Sequence, residues 1–520
     1  MSSLRIGCRA VLFVGLLIVQ LPCAISQISQ SPTKVEPRAI DSAELFVDSS
    51  NGGSTSGYFR LEVSPDGKLL AARSRENTVD LFDAAQRKLL IQLRGHSAWI
   101  TGMAFSSDSR FLVTMGEGAD GKTICWDAAT GTKKMELAEG GSALSFNEEG
   151  TQFFLAGPGT LKTFSTLDST PVRTIKWGDS DDEPLAVSRS GSFLVSHRKI
   201  SEQAARIQIN DLLNDSSTIV DGPAELARSA AISSDENWIA AVYHHSQKIY
   251  WWNRNDPLRI RFERPFHEKN LHAVTFSPDS RFLIVTSWDN SSSVWDVRSG
   301  EQLATLTAHS EMVTSCAFSL VDPVFFTASA GANDHSIRKW DLRNVVFNQP
   351  ESDPIDFAAI WIELGAEDAR HALSAVGKLV QTDDEDWIAD VRLLLHLDLT
   401  AKSIEKTMQL IDELNSPLYA ERHQAAAMLR DRRAIVVNSL RNPESQYLST
   451  EQRYRLNRIL KGASLSVPED SSERRQAMRL IMALEYRKTD SSRGLLNQIA
   501  DFHMDSHLAE EAAAARNRLR

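Results

Sequence analysis

Cysteine is nearly absent, with four residues in 520. Cys8 and Cys23 fall in the first 26 residues, and Cys125 and Cys316 stand far apart, which excludes a disulfide-dense scaffold and any Cys-x-x-Cys metal spacing. Both distant cysteines read as small buried apolar side chains. After the N-terminus no long apolar run occurs, so a multi-span membrane protein is excluded. With 42% hydrophobic and 24% charged residues, collagen-like and wholly disordered chains are excluded as well. A basic surplus is also missing: 57 Lys and Arg face 68 Asp and Glu, a net charge of −11 that argues against a general phosphate-binding surface. The chain further lacks a GxxxxGK[ST] loop, a GxGxxG after a strand, a GxSxG elbow and an HExxH helix. His244 and His245 are adjacent in an extended segment and point to opposite faces, so they do not form a metal pair. The acid runs Asp179–Glu183 and Asp383–Asp386 lack the alternating ligands and glycine of a calcium loop. No catalytic residue, metal or cofactor is expected.

One apolar run opens the chain. Arg5 and Arg9 precede Val11–Val19, and Pro22-Cys23-Ala24-Ile25-Ser26 places small residues at the two positions a signal peptidase reads. Residues 1–26 are therefore expected to be a secretory signal, cut after Ser26. Nine apolar residues fall short of the roughly 20 that span a bilayer. The expected location is outside the cytoplasm, periplasmic or extracellular, with residues 27–42 as a flexible linker.

What the chain has in abundance is a repeat. Seven times an apolar residue is followed by a small polar turn: Val63, Phe105, Phe146, Val187, Ile232, Phe276 and Phe318 are the anchors, spaced 42, 41, 41, 45, 44 and 42 residues apart. Val63-Ser-Pro-Asp-Gly-Lys68 and Phe105-Ser-Ser-Asp-Ser-Arg110 are two examples. Each turn lies between two runs of alternating or continuous apolar residues, so each is a hairpin. About twenty residues past each anchor stands a second signal: Phe82-Asp83, Trp126-Asp127, Phe164-Ser165, Asn210-Asp211, Trp252-Asn253, Trp295-Asp296 and Trp340-Asp341.

In this period and in its three Trp-Asp pairs the chain resembles the WD-repeat (WD40) family, whose unit is one four-stranded blade of a β-propeller. The resemblance implies a seven-bladed propeller over residues 43–342. It also implies a buried hydrogen-bond network in three blades, formed by His96, Asp120 and Trp126, by His267, Asp289 and Trp295, and by His309, Asp334 and Trp340. These residues read as structural, because a buried imidazole and carboxylate are tolerable only when paired. Blades 3 and 4 depart from the family pattern at Phe164 and Asn210. Ring closure needs a fourth strand for the last blade, and residues 43–48, with Glu44-Leu-Phe-Val-Asp48, are the expected supplier beside the strand ending at Trp340. Asn344–Phe347 is the alternative.

Past a linker at 343–355 the hydrophobic period changes from two to about 3.6, and Ala and Leu dominate. Residues 356–520 are expected to be α-helical, with helices near 357–364, 367–380, 384–396, 402–414, 418–430, 432–441, 450–461, 471–487, 492–501 and 506–519. Paired helices at 404–440 and 475–519 look like HEAT-type repeats, and the tail resembles one that follows WD-repeat propellers in exported bacterial proteins. Residues 351–400 hold 12 acids and 3 bases, and 401–520 hold 16 acids and 20 bases.

The fold class is thus multidomain β plus α, a propeller followed by a helical-repeat domain. The functional expectation is a non-catalytic exported scaffold that holds a protein or peptide partner on the propeller's loop face. Two positions per blade project there, which brings Arg75, Trp99, Trp288, Met312 and Asn333 onto one arc of neighbouring blades, a mix of residues that interface cores favour. The competing reading of the two tryptophans is local packing over a blade end. An enzyme with its site in the central channel is the second functional reading. Nucleic-acid or acidic-partner binding through Arg422–Arg493 is the third, set against the way those arginines alternate with acids as ion pairs. No nucleic acid and no membrane span are expected, and the oligomeric state is open.

Overall fold

The computed structural model describes residues 38–48, 54, 56–117, 121–168, 170–201, 204–243, 247–256, 262–265, 269–347, 357–381, 387–388, 391, 401–416, 418–430, 452, 455–456, 472–502 and 506–519. The expectations for residues 1–26, Asp120, His244, His245, His267 and the helix at 432–441 lie outside them.

Residues 44–341 form seven antiparallel sheets. In blade 1, Tyr58–Val63, Leu69–Ser74, Val79–Asp83 and Lys88–Leu93 pair in that order from the inside outward. Four anchor turns share one piece of side-chain chemistry. In blade 1 the Ser64 hydroxyl donates to Asp66 Oδ1 at 2.7 Å and accepts from the Leu69 amide at 2.9 Å, while the Gly67 amide bonds the Ser64 carbonyl at 2.8 Å. This recurs at Ser106/Asp108, Ser233/Asp235 and Ser277/Asp279, and it explains why small polar residues follow every anchor. The Asp of the Trp-Asp pairs has a similar role in the next turn: Asp127 Oδ1 accepts from the Thr130 amide and hydroxyl, and Asp296 Oδ1 from the Ser299 amide.

The seven innermost strands touch in a closed circle, the seventh, Val313–Phe318, meeting the first, Tyr58–Val63. Apolar clusters fill the wedges between neighbours; Ala71, Val79 and Leu81 of blade 1, for example, pack with Ile100, Met103 and Trp126 of blade 2. At the seam of blades 7 and 1, Ser315 Oγ accepts from the Leu61 amide at 3.0 Å. Gly57 has φ +78°, and a Cβ there would lie 2.4 Å from Ala330 Cα, so only glycine lets the blades approach so closely.

The last blade takes its outer strand from the far end of the chain. Glu44–Val47 lies antiparallel to Ile337–Asp341, with Glu44 opposite Lys339 and Val47 opposite Ile337. Phe46 and Val47 are fully buried, and Phe46 makes edge contacts with Phe326 of the same blade and Phe82 of blade 1. Glu44 also pairs with Arg87 of blade 1.

Two linker expectations are corrected. Arg38–Ile40, expected within a flexible linker, forms a fifth, parallel strand on Gln302–Leu306 of blade 6 and satisfies polar groups on an edge that would otherwise stand open. Leu342–Val346, expected as linker and held as an alternative closing strand, is a short helix. The Asp341 side chain caps it by accepting from the Arg343 amide, and Leu342, Val345 and Val346 are buried.

Beyond the propeller the described residues are helical, with helices Phe357–Leu364, Ala369–Gln381, Ala401–Glu413, Tyr419–Arg430, Ser472–Arg487, Asp490–Phe502 and Ser506–Arg518. Only parts of the expected helices at 384–396 and 450–461 are described, and those parts are helical. One apolar cluster runs without a break from Phe282, Ile284 and Val294 of blade 6 through Phe325 and Trp340 of blade 7 to Leu373, Val376, Leu480, Leu484 and Ala512 of the helices. A buried ionic knot reinforces it. Arg281 in blade 6 donates to Glu485 at 2.9 Å and Glu511 at 2.8 Å, Arg518 donates to Glu485 at 2.6 Å, and the Tyr486 hydroxyl donates to Asp279 at 3.0 Å. Burial opposes the charge on Arg281, but the carboxylates of Glu485, Asp279 and Glu511 raise its pKa above the usual value. Such a pair is costly to break from one side.

Phe46→Ala removes a fully buried ring from the closing strand and is expected to cost about 3–5 kcal/mol, whereas the exposed Leu45→Ala costs about 0.5 kcal/mol or less. Chemical denaturation of the two variants checks this; equal midpoints would mean that the strand does not hold the ring.

Candidate functional site

The buried network comes first, because it decides which polar residues are available for anything else. In blade 7 the His309 ring bonds Asp334 Oδ2 through Nδ1 at 3.0 Å and Thr327 Oγ1 through Nε2 at 2.9 Å, and Trp340 Nε1 donates to the same hydroxyl at 2.9 Å. Ser310 and Ser336 complete the shell of Asp334. Burial pushes the Asp334 carboxyl up, but hydrogen bonds from His309 and Ser336 outweigh it and hold the group well below the usual carboxylate range. In blade 2 His96 Nε2 and Trp126 Nε1 both reach Thr114 Oγ1 at 2.8 Å. Blade 6 has Val285 at the equivalent place, and Trp295 Nε1 donates instead to Ser293 Oγ, at 2.7 Å. In blade 4 Asn210 stands in for the tryptophan and donates to Ser196 Oγ at 2.9 Å. Asp289 accepts from the Ser291 amide and hydroxyl in the turn before its tryptophan strand. The threonine hydroxyls at the centre of these networks were not foreseen; the signal was a lone Thr inside the otherwise apolar strands Phe111–Gly116 and Val324–Ser329.

The loop face carries what the network leaves over. Arg75 and Asn333 are exposed, and Trp99, Trp288 and Met312 are half-buried. Trp99 and Trp288 each sit in a local cluster. Trp99, in the loop entering blade 2, packs edge-on against Phe59 of blade 1 at 5.1 Å between ring centroids. The Arg73 guanidinium lies 4.0 Å from the Trp99 ring centre and 5.2 Å from Phe59, and Arg75 lies 5.4 Å from Phe59 on its other contact. Trp288, in blade 6, belongs to a second cluster with Arg228 of blade 5 at 5.0 Å and His272 at 6.3 Å. Between the two, Asn333 donates to Glu311 at 2.9 Å, Asn290 donates to the Ser310 carbonyl at 2.9 Å, and the Met312 carbonyl accepts from Ser329. Each tryptophan therefore has local packing and a partly open side. Phe59, Arg73 and Arg228 escaped the sequence reading, although an arginine near the end of the apolar strand Leu69-Leu-Ala-Ala-Arg was a visible irregularity.

At the channel, Arg60 and Glu62 alternate along the innermost strand of blade 1. The corresponding places in blade 2 hold Gly102 and Ala104, and those in blade 7 hold Ser315 and Ala317. Arg60 is exposed and donates to the Thr101 carbonyl at 3.0 Å. Burial pushes the Glu62 carboxyl up to about 7, against the opposing pull of Arg60 and Arg189. Among the described residues no group of three or more His, Cys, Asp or Glu is placed to hold a metal ion. Cys125 and Cys316 are buried free thiols.

Four described arginines of the tail are engaged in fold contacts. Arg475 and Arg479 donate to the carbonyls of Gly365, Leu364 and Ala366 that end one helix, Arg487 to Leu379 near the end of the next, and Arg422 to Ser416. No described helix is long and apolar enough to cross a membrane.

Comparison with known proteins agrees with this geometry. The WD domain, G-beta repeat, matches residues 87–127, 260–296 and 300–341, which fall in the blades that carry full Trp-Asp pairs. The chain is 24% identical over 320 residues to GID complex subunit 7 of Schizosaccharomyces pombe, covering 60% of this chain and 61% of that protein. It is 22% identical over 272 residues to apoptotic protease-activating factor 1 of Danio rerio, covering 51% of this chain and 21% of that one. To protein transport protein SEC31 of Eremothecium gossypii it is 20% identical over 306 residues, 56% and 22% of the two chains. The match thus spans less than two thirds of each of these relatives. The protein is a seven-bladed β-propeller with a helical region after it, and part of the propeller matches the WD domain, G-beta repeat.

Thr327→Val keeps the side-chain shape, as Val285 does in blade 6, but leaves His309 Nε2 and Trp340 Nε1 without the hydroxyl they share. A loss of about 2–4 kcal/mol is expected from two buried groups left unsatisfied. Denaturant titration with unchanged stability would show that the network carries no energy.

Proposed function

We propose that the chain is a non-catalytic scaffold that holds a protein or peptide partner on the loop face of its propeller. The observation that carries this reading is the pair of half-buried tryptophans, Trp99 and Trp288, each stacked with an arginine of the adjacent blade and each with a partly open side. Aromatic and arginine anchors in partly desolvated settings are what binding hot spots are made of. One relative, GID complex subunit 7, is named as a subunit of a complex, which accords with a scaffold role. The fold by itself hosts many functions, so the site rather than the architecture supports the reading.

The reading extends to location and to the tail. Arg5, Arg9, the apolar run Val11–Val19 and the small residues before Gln27 support export by a cleaved signal. The paired helices support a HEAT-like tail of the kind that follows propellers in exported bacterial proteins, and in this role the tail is a support for blades 6 and 7.

Crosslinking capture from the native exported fraction tests this, using the full chain and a Trp99→Ala/Trp288→Ala variant of matched thermal stability. Proteins retained by the wild type and lost from the variant, together with a mature N-terminus at Gln27, are expected. Equal retention, or a retained Met1, would overturn the corresponding half of the proposal.

A further inference from the structure

Arg73 is a buried arginine with no ion-pair partner among the described residues. It is 5% exposed, and its Nη1 donates to the Ile100 carbonyl at 2.9 Å, but its Nε has no partner. Two further arginines stand near it. Arg60 is close enough to repel it, and Arg75 shares its aromatic neighbour Phe59. Among the described residues none of the three has a carboxylate within ion-pair distance. The three guanidiniums stand together on a chain whose net charge is −11, with Glu62 acting on Arg60 and Glu117 on Arg73 from beyond that distance.

A guanidinium held away from water is stable only with an anion or a full set of acceptors. Here burial first, and then repulsion from Arg60, pull the Arg73 pKa down to about 9, and Glu117 opposes them weakly. At neutral pH the group stays charged and unneutralised. The rings of Phe59 and Trp99 hold it in place by stacking and supply an apolar wall beside it. Exposed Arg75 extends the positive surface outward from the buried charge. An arginine fork is well suited to taking a carboxylate through two parallel hydrogen bonds.

We propose that this cluster at the mouth of blades 1 and 2 binds carboxylate side chains of an acidic peptide segment on the partner, with Arg73 and Arg75 as the anion-binding groups and Phe59 and Trp99 as the platform. This rests on the reading that the loop face takes the partner, and it names the chemistry of one part of that face. It further requires that the Trp288 cluster be a separate contact, because Arg228 and His272 belong to a different pair of blades.

The test is fluorescence anisotropy of labelled hexaglutamate with the full chain at low and at physiological salt, with hexaglutamine and hexalysine as controls. Binding of hexaglutamate alone is expected, weakening with salt. Arg75→Glu, an exposed substitution, is expected to weaken it at least about tenfold, the scale of one charge-assisted hydrogen bond. Arg73→Met is expected to do the same at unchanged melting temperature, and Trp288→Ala to leave hexaglutamate binding intact. No binding of hexaglutamate, equal binding by the Arg75→Glu variant, or binding of a phosphoserine peptide without hexaglutamate would each overturn the proposal. Capture of a partner that depends on Trp288 but not on Arg75 would also overturn it, while leaving the loop-face reading in place.

Discussion

Ring closure at blade 7 is the constraint on which the other features depend. A propeller blade is stable only between two neighbours, so six wedge contacts are worth little while the seventh is open. Here the seventh blade is assembled from both ends of the propeller, with Glu44–Val47 lying beside Ile337–Asp341 and Phe46 reaching across to Phe82 of blade 1. The backbone edge that would remain without this strand is the kind that recruits other chains. The same economy appears one blade earlier, where Arg38–Ile40 covers the outer edge of blade 6.

The helical region acts on the same two blades. Its apolar cluster is continuous with theirs, and Arg281 is locked between Glu485 and Glu511 while Tyr486 holds Asp279 in the adjacent turn. The helices therefore fasten to anchor turns of the propeller, whereas the Trp99 and Trp288 clusters sit on loops at the other ends of the strands. Holding one end of blades 6 and 7 while leaving the loop ends open suits a surface meant for another molecule. Among the described residues, Arg475, Arg479 and Arg487 are spent on the carbonyls of Gly365, Leu364 and Leu379 at helix ends.

Much of the architecture was legible because its signals are local. A serine or asparagine follows each anchor, in four blades with an aspartate two residues later, and these side chains build inner turns by their own hydrogen bonds, so that their spacing counts the blades. The closing strand was legible from an accounting of edges, since one blade lacked a fourth strand. Arg38–Ile40 was not, because three residues carry no periodicity and their pairing is settled by an edge far away in sequence. Nor was the helix Leu342–Val346, which depends on Asp341 capping a turn that in other blades continues into a hairpin.

The loop face was legible only in part. Trp99 and Trp288 announce themselves by size, but what they touch comes from neighbouring blades. Arg73 matters because it is buried without an acid, a property that exists only once Ile100 and Trp99 are packed over it. Blade 6 places Val285 where blades 2 and 7 place threonine, so even the family's network could not be transferred position by position.

The central claim is that the N-terminal strand, blades 6 and 7 and the helices form one cooperative unit built around the closed ring. Native-state hydrogen exchange of the full chain across sub-denaturing urea tests it most directly. The account predicts that amides in Glu44–Val47, Ile337–Asp341 and Ser472–Arg487 merge into one opening event with the same free energy and urea dependence. Exchange of the helix Ser472–Arg487 through a separate, lower-energy opening that leaves the blades protected would contradict it.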